Sequence, residues 1–238
     1  MIELQIEREP IEQVIDLYSR IKEDLGQKIN LIIEENPEID GNSDVRLVSM
    51  KLTMEVVQTN ILVFYCIRDS FKNLEIWEYQ EFENEAKKQE FLNDRLYFIS
   101  GDLRENVFSN TFLRFENFIK IIANSLNIPG ERINKLSKDL IEHLDIADDY
   151  KNLIDLFTYL RNTVHTAGFH NRDNVTVNYK GVDYEFVKDS PTIFYNNDFL
   201  ELLVKEVTDL MKLIIDSEEI KEKDTIEHNY SNLVFNDN

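Results

Sequence analysis

Turn-forming residues are scarce in this chain of 238 residues, which contains six glycines and four prolines. A β-sandwich or barrel needs a turn between each pair of short strands, so this composition argues against an all-β fold. Hydrophobic residues make up 42% of the sequence and include fifteen phenylalanines and ten tyrosines. A chain of this length and hydrophobicity can bury a large aromatic core, which argues against overall disorder.

Cysteine is almost absent, since Cys66 is the only one in the sequence. A single cysteine excludes an internal disulfide and is typical of proteins in the reducing cytoplasm. The first ten residues are charged, unlike a secretory signal, and the apolar run 61–67 is too short to span a bilayer. We therefore expect a cytoplasmic protein outside the membrane, with Cys66 in the core of an apolar helix and not acting as a nucleophile.

Positive charge is scarce, with 26 Lys and Arg against 46 Asp and Glu and a net charge of −20. This balance opposes non-specific binding to nucleic acid, because phosphate contacts need clustered cations. The charge is uneven, because residues 104–138 contain six basic and three acidic residues whereas residues 1–50 contain five and twelve. The pattern predicts an acidic solvated surface, a small basic cleft in an acidic body, or an acidic scaffold that binds a basic partner.

Apolar residues recur at helical spacing along most of the chain. The predicted helices span residues 11–35, 44–72, 81–96, 100–127, 131–144, 149–167 and 199–215. The secondary structure of segment 73–82 is ambiguous from the sequence. One stretch, VTVNYKGVDYEFV at 175–187, alternates around Lys180-Gly181 and predicts a β-hairpin. The expected fold is mainly α, a helical bundle with one β-hairpin near residues 175–187.

The predicted elements divide the chain into three parts. Residues 1–100 form an N-terminal helical region packed on the same core, residues 101–216 form a helical region that contains the hairpin, and residues 217–238 form a polar tail. Four apolar residues of the tail are candidates for docking: Tyr230, Leu233, Val234 and Phe235. The tail also contains His228, which we expect to be solvated.

The stretch LRNTVHTAG, residues 160–168, is the strongest candidate for chemistry. Arg161 and His165 are four residues apart and therefore share one face of a helix, at the edge of its apolar stripe. A guanidinium binds phosphate oxygens as a fork, and a histidine that is neutral near pH 7 can accept a proton. The pair therefore fits metal-independent RNA cleavage, with Asn162 orienting either group or binding a phosphate oxygen. The alternative is a chance pairing that the helix macrodipole favours near a C-terminus.

The same stretch resembles the signature of the HEPN superfamily, helical bundles with an arginine, commonly followed by asparagine, and a histidine later on one helix. Phe115-Glu116 is similar to a Phe-Glu pair on an earlier long helix of abortive-infection-type members. The resemblance covers residues 100–215 approximately. It implies a metal-independent endoribonuclease without a cofactor, acting in bacterial toxin–antitoxin or antiviral defence systems. It also implies an RNA substrate and a homodimer, or a protein partner such as an antitoxin or a defence-complex subunit.

Three residues separate Arg161 from His165, whereas the family usually has four to six. Three interpretations follow. The short spacing is active, or His170 supplies chemistry from the loop beyond Gly168, or the domain is a non-catalytic HEPN-like module that binds a protein partner or nucleotide. Glu116 is predicted either to orient Arg161 or to face solvent.

The remaining histidine, His143, is predicted to be a surface or capping residue. It lies close in sequence to Glu142 and Asp145, but no second group of ligand residues is near them. We therefore predict no metal site.

Overall fold

The structure is a computed structural model, and it describes residues 11–72, 82–166, 168–192 and 195–228. Seven α-helices and four short β-strands lie in this part of the chain. The helices are α1 (Ile11–Glu35), α2 (Val45–Lys72), α3 (Glu85–Ser125), α4 (Ile133–His143), α5 (Asp149–Val164), α6 (Asn197–Asp216) and α7 (Glu218–Lys221). The strands are β1 (Phe169–His170), β2 (Val175–Tyr179), β3 (Val182–Phe186) and β4 (Ser190–Pro191). The fold is mainly α with a small β-hairpin insertion, as predicted.

Four long helices form the central bundle. α1 packs against α2 and α6, and α3 also packs against both α2 and α6, so the four helices enclose one core. Buried residues on α1 follow a helical stripe, as the sequence predicts: Val14, Tyr18, Ile21, Leu25, Ile29 and Ile32. α4 and α5 pack on the outside of α3, and α5 also contacts α6 and the strands β1 and β2. α5 therefore lies between the bundle and the hairpin.

α3 differs from the sequence prediction because it is one unbroken helix of 41 residues. We predicted two helices here, 81–96 and 100–127, and the predicted break between them is wrong. Ser100 and Gly101 lie inside α3, where glycine costs about 1 kcal/mol relative to alanine. The packing of α3 against neighbouring helices offsets this cost. The helix instead begins after Asn84, whose side chain accepts a hydrogen bond from the backbone N–H of Lys87 at 3.0 Å.

α2 buries only one face, although its sequence is apolar nearly all round. Val57 and Phe64 are buried, whereas the side of the helix that carries Leu62, 57% exposed, faces solvent. Cys66 is also exposed, so its predicted place in the core is wrong. Val45–Ser70 is long and apolar enough to cross a membrane, and 44% of its most apolar window is buried inside the protein. A single helix of this kind is weak evidence for a membrane span, because the core helices of soluble proteins can be equally long and apolar.

The predicted hairpin is confirmed as the antiparallel pair β2–β3, with Val177 opposite Tyr184. Lys180 and Gly181 both have positive φ, 50° and 79°, as a tight two-residue turn of this kind requires. A second antiparallel pair, β1–β4, was not predicted from the sequence because each strand has two residues. The segment 73–81, ambiguous in sequence, lies outside the described residues.

A buried carboxylate fixes the hairpin to α6. Glu206 accepts hydrogen bonds from the Tyr179 hydroxyl and from Lys180 Nζ, each at 2.6 Å. Burial raises the pKa of Tyr179 above its ordinary range, and the hydrogen bond and negative charge of Glu206 raise it further. The hairpin turn is therefore held at a fixed position on the bundle.

The start of the predicted polar tail packs on the protein as far as residue 228. The buried guanidinium of Arg46 forms an ion pair of 2.6 Å with the buried carboxylate of Asp44. It also donates hydrogen bonds to the backbone carbonyls of Ile220 and Asp224, at 3.1 and 2.8 Å. His228 is buried, which corrects the prediction that it is solvated. The four tail residues predicted to dock lie outside the described residues.

Candidate active site

α5 places Arg161 at the edge of a buried stripe. The stripe contains Leu153, Ile154, Leu156, Phe157 and Leu160. Phe157 packs against three phenylalanine rings of α3, which fixes the orientation of α5 on that helix. Arg161 follows directly after Leu160, and its side chain is 41% exposed. The predicted half-buried position at the edge of the stripe is confirmed.

The Arg161 guanidinium contacts two residues of α3. Its Cζ lies 4.5 Å from the centroid of the Phe112 ring, at the distance of a cation–π interaction. Its Nη2 lies 4.0 Å from Oε2 of Glu116, whose side chain is 18% exposed. Of the two alternatives left open for Glu116, the structure shows the one in which its carboxylate lies beside Arg161. The aromatic face and the carboxylate together restrict where the guanidinium can point.

Glu116 also pairs with a second cation. Its other oxygen, Oε1, lies 2.7 Å from Nζ of Lys120, which is one helical turn further along α3. At formal charges the cluster of Arg161, Glu116 and Lys120 carries one net positive charge. In a protein of net charge −20, this small cationic cluster is a place where a phosphate can be attracted.

Sequence reasoning missed Phe112 and Lys120. Each is four residues from Glu116, so the three residues share one face of α3. The spacing of four residues shows from the sequence that Phe112 and Lys120 lie beside Glu116. It does not show that this face of α3 contacts α5.

His165 lies directly beyond the last residue of α5. Its backbone is still helical, with φ −67° and ψ −14°, and its N–H donates to the carbonyl of Arg161 at 3.2 Å. The helical register therefore continues to His165, which lies on the same face as Arg161. Its side chain is exposed. Arg161 and His165 thus share one solvent-accessible face.

The end of α5 lies three residues before the predicted end at residue 167. The helix ends at Val164, with His165 as the capping residue. Gly168 lies four residues further on with φ 87°, and its N–H donates to the carbonyl of Thr163 at 2.8 Å. The positive φ still explains why glycine is present, because it allows the chain to turn from α5 into β1.

Asn162 is half-buried, and the structure gives its backbone a clear role. Its carbonyl accepts a hydrogen bond from the Thr166 hydroxyl at 3.1 Å. The same hydroxyl lies 3.0 Å from the carbonyl of Thr163. Asn162 therefore helps to hold the turn that follows the motif.

His170 is enclosed, only 1% exposed, and lies in a different environment from Arg161 and His165. Its ring packs between Tyr159 and Phe186, and Nε2 lies 2.9 Å from the carbonyl of Asp173. A carbonyl accepts, so Nε2 carries the proton, and the buried Nδ1 has no hydrogen-bond partner among the residues that the structure describes. These contacts make His170 a packing residue between α5 and the hairpin.

The two remaining histidines lie elsewhere on the molecule. His143 is exposed at the end of α4 and lies 2.8 Å from Glu219, which confirms its predicted surface position. His228 is buried, with Nε2 3.0 Å from the side-chain amide of Asn117. Burial lowers the pKa of His228, and the positive charge of Arg114 lowers it further.

Among the residues that the structure describes, no group of three His, Cys, Asp or Glu side chains is arranged to hold a metal ion. Comparison of the chain with protein-family models, with curated proteins and with solved structures finds no match. The site is therefore interpreted from its own geometry and from the resemblance of its motif.

Proposed function

We propose that this protein is a metal-independent endoribonuclease of the HEPN type. The observation that carries the proposal is the position of Arg161, which is restricted by Phe112 and Glu116 while its side chain stays open to solvent. His165 lies on the same helical face and is exposed. A fixed phosphate-binding cation and an accessible imidazole are the two groups that the reaction requires.

In the proposed reaction, the ribose 2′-oxygen attacks the adjacent phosphorus, and the bond from phosphorus to the 5′-oxygen breaks. The 2′-hydroxyl proton passes to a base and a proton returns to the leaving 5′-oxygen, and His165 performs one or both transfers. Arg161 binds the charged phosphorane, and Lys120 adds positive charge beside it. The products are a 2′,3′-cyclic phosphate and a 5′-hydroxyl end.

Glu116 is proposed to orient the Arg161 guanidinium and not to act in proton transfer. Its two oxygens lie near two different cations, Oε1 at 2.7 Å from Nζ of Lys120 and Oε2 at 4.0 Å from Nη2 of Arg161, which suits a role in positioning the guanidinium. We expect Glu116→Gln to lower the rate of cleavage less than loss of Arg161 does, because Phe112 still supports the guanidinium.

The test is cleavage of total RNA or transfer RNA by the full chain in the presence of EDTA. We expect Arg161→Ala and His165→Ala each to lower the rate by about 10²-fold or more, as for loss of a general acid–base or phosphate-binding group. Arg172→Ala and His143→Ala are matched controls, because both residues are exposed and lie outside the cluster. Circular dichroism checks that each variant is folded.

A folded wild-type protein that does not cleave RNA, alone or with the product of a neighbouring gene, contradicts the proposal. Binding of RNA or nucleotide without cleavage identifies the non-catalytic module instead. Relief of toxicity by His165→Ala during expression in bacteria supports the enzyme and a role in toxin–antitoxin or antiviral defence.

We also propose that the acidic surface of the protein binds a partner. The cationic cluster of Arg161, Glu116 and Lys120 is a small area of a strongly acidic protein, so we expect a basic protein partner to bind elsewhere on the surface. Sedimentation at low and high salt tests this, because salt weakens contacts between exposed charges.

A further inference from the structure

The carboxylate of Glu116 lies much closer to Lys120 than to Arg161. Oε1 accepts a hydrogen bond from Nζ of Lys120 at 2.7 Å, whereas Oε2 is 4.0 Å from Nη2 of Arg161, which is too far for a hydrogen bond. Among the described residues, the Arg161 guanidinium makes no other polar contact. Its N–H donors are therefore unused within this part of the protein, although a carboxylate lies nearby.

A direct pair between Arg161 and Glu116 would oppose the binding of phosphate. Arginine and a carboxylate readily form two parallel hydrogen bonds, and a phosphate is recognised through the same donors. A carboxylate bound in this way would have to be displaced before a phosphate could bind. The 4.0 Å separation thus leaves the guanidinium open to an anion from outside.

Lys120 is well placed to maintain this separation. It lies four residues after Glu116 on α3, and a glutamate that precedes a lysine by four residues is in the favourable order for a helical ion pair. The guanidinium has separate support from the Phe112 ring, whose centroid is 4.5 Å from Cζ. Its position therefore does not need a hydrogen bond from Glu116.

Resting on the proposed function, we propose that Lys120 is a positioning residue that holds the Glu116 carboxylate away from Arg161 and so keeps the guanidinium available to the phosphate of RNA. Without Lys120, Glu116 pairs directly with Arg161 in the free protein. That pair stabilises only the substrate-free state, so it raises KM. Loss of the Lys120 charge acts differently, because it lowers transition-state stabilisation whether or not Glu116 is present.

The experiment separates these two effects with a double-mutant cycle on the full-length protein. We measure kcat and KM for a defined RNA oligonucleotide with the wild type, Lys120→Met, Glu116→Gln and the double variant. Lys120→Gln repeats the test with a polar side chain, and Lys120→Arg retains the cation. Lys87→Met is the matched control, because it also removes an exposed lysine of α3 that pairs with a glutamate, Glu90, at 2.8 Å. Circular dichroism checks that each variant is folded.

We expect Lys120→Met and Lys120→Gln to raise KM by about 3- to 10-fold, the range for one hydrogen-bonded interaction that binding must break. In the Glu116→Gln background, Lys120→Met should change KM by less than about twofold, because the competing carboxylate is then absent. Lys120→Arg and Lys87→Met should stay within about twofold of the wild type.

A second measurement needs no RNA. The Nε–H signal of Arg161 in an NMR spectrum, assigned by its loss in Arg161→Lys, reports whether the guanidinium is hydrogen-bonded. Its exchange with water should become at least about threefold slower in Lys120→Met, because a hydrogen-bonded N–H exchanges more slowly. Exchange should return to the wild-type rate in the double variant.

A rise in KM on Lys120→Met that is equal with and without Glu116→Gln overturns this inference and leaves the proposed function in place. An unchanged KM on Lys120→Met with normal cleavage does the same. Unchanged Nε–H exchange in Lys120→Met overturns the inference whether or not the protein cleaves RNA. A folded wild type that cleaves no RNA contradicts the proposed function, whereas slower exchange that Glu116→Gln reverses still supports the positioning role of Lys120.

Discussion

The guanidinium of Arg161 lies over the ring of Phe112, with 4.5 Å between Cζ and the ring centroid. Phe112 is itself buried and packs edge-on against Phe157 of α5, so the ring that supports Arg161 cannot easily move. The position of the cation is therefore set by the packing of α3 against α5. This relationship links the stability of the fold to the geometry of the candidate site.

Phe112→Leu is expected to lower kcat for RNA cleavage more than it changes KM. Leucine keeps most of the buried volume but removes the aromatic face, and a cation–π contact contributes about 0.5–2 kcal/mol. A fall in kcat of about 2- to 30-fold is the expected result, measured with a defined oligonucleotide. Phe108→Leu is the matched control, because Phe108 packs against the same Phe157 ring. Equal kcat values for the two variants would show that Phe112 acts only through packing.

Arg46→Met is expected to destabilise the protein by about 3–5 kcal/mol, as for removal of one partner of a buried ion pair. The loss leaves the Asp44 carboxylate buried without its cation and removes the hydrogen bonds to the carbonyls of residues 220 and 224. Urea denaturation measures the change. Hydrogen exchange should also become faster at the His228 amide, which bonds to the carbonyl of Ser43. Arg20→Met removes only an exposed pair and should leave exchange there unchanged.

The stability of the protein should fall on acidification partly through His228. Its pKa in the folded state is lowered from 6.5, first by burial and then by Arg114, so the unfolded chain binds a proton more readily than the folded chain. The stabilising contribution of the neutral ring is complete above pH 6.5 and is lost as pH falls through the lower folded-state value.

His228→Gln removes this titration and keeps a hydrogen-bond acceptor for the Asn117 amide. Free energies of unfolding from urea titrations between pH 8 and pH 5 should therefore fall more steeply for the wild type than for the variant. Parallel curves for the two proteins would show that the pKa of His228 is the same in the folded and the unfolded chain.

Two glycine substitutions should change stability in opposite directions. Gly101 lies inside α3, and apart from the adjacent residues and the backbone of the helix itself no atom of the described residues lies within 4 Å of the position that an alanine methyl group would occupy. Gly101→Ala should therefore stabilise the protein by about 0.5–1 kcal/mol. Gly168 has equal space but φ 87°, so Gly168→Ala should destabilise it by about 1 kcal/mol. Thermal unfolding of both variants tests the pair. Destabilisation by Gly101→Ala would indicate that the helix needs flexibility at that point.

The helices could be predicted well because their signals are local. The apolar spacing along α1 and the asparagine that caps α6 at Asn196 both act within a few residues. The prediction failed at Ser100-Gly101, where capping residues stand inside a helix that tertiary packing keeps continuous. It failed again at Cys66, because an apolar sequence does not say which side of a helix another element covers.

Only some residues and contacts of the candidate site could be predicted from the sequence. Arg161 and His165 share a helix, so their common face follows from their spacing alone. The contacts of Arg161 with Phe112 and with Glu116 depend on how α5 packs against α3, and the sequence contains no direct signal for that packing. The burial of His170 could not be predicted either, because its position in the sequence beside the motif does not indicate that Tyr159 and Phe186 enclose its ring.

The mainly helical fold, the hairpin at Lys180-Gly181 and the shared face of Arg161 and His165 follow from local amino-acid patterns, because periodicity and turn chemistry are properties of neighbouring residues. The packing of separate elements placed Arg161 beside Glu116 and set which histidines are buried and which are open to solvent. Those outcomes depend on contacts between segments that are distant in the chain, and such contacts are set by the packing of the whole core.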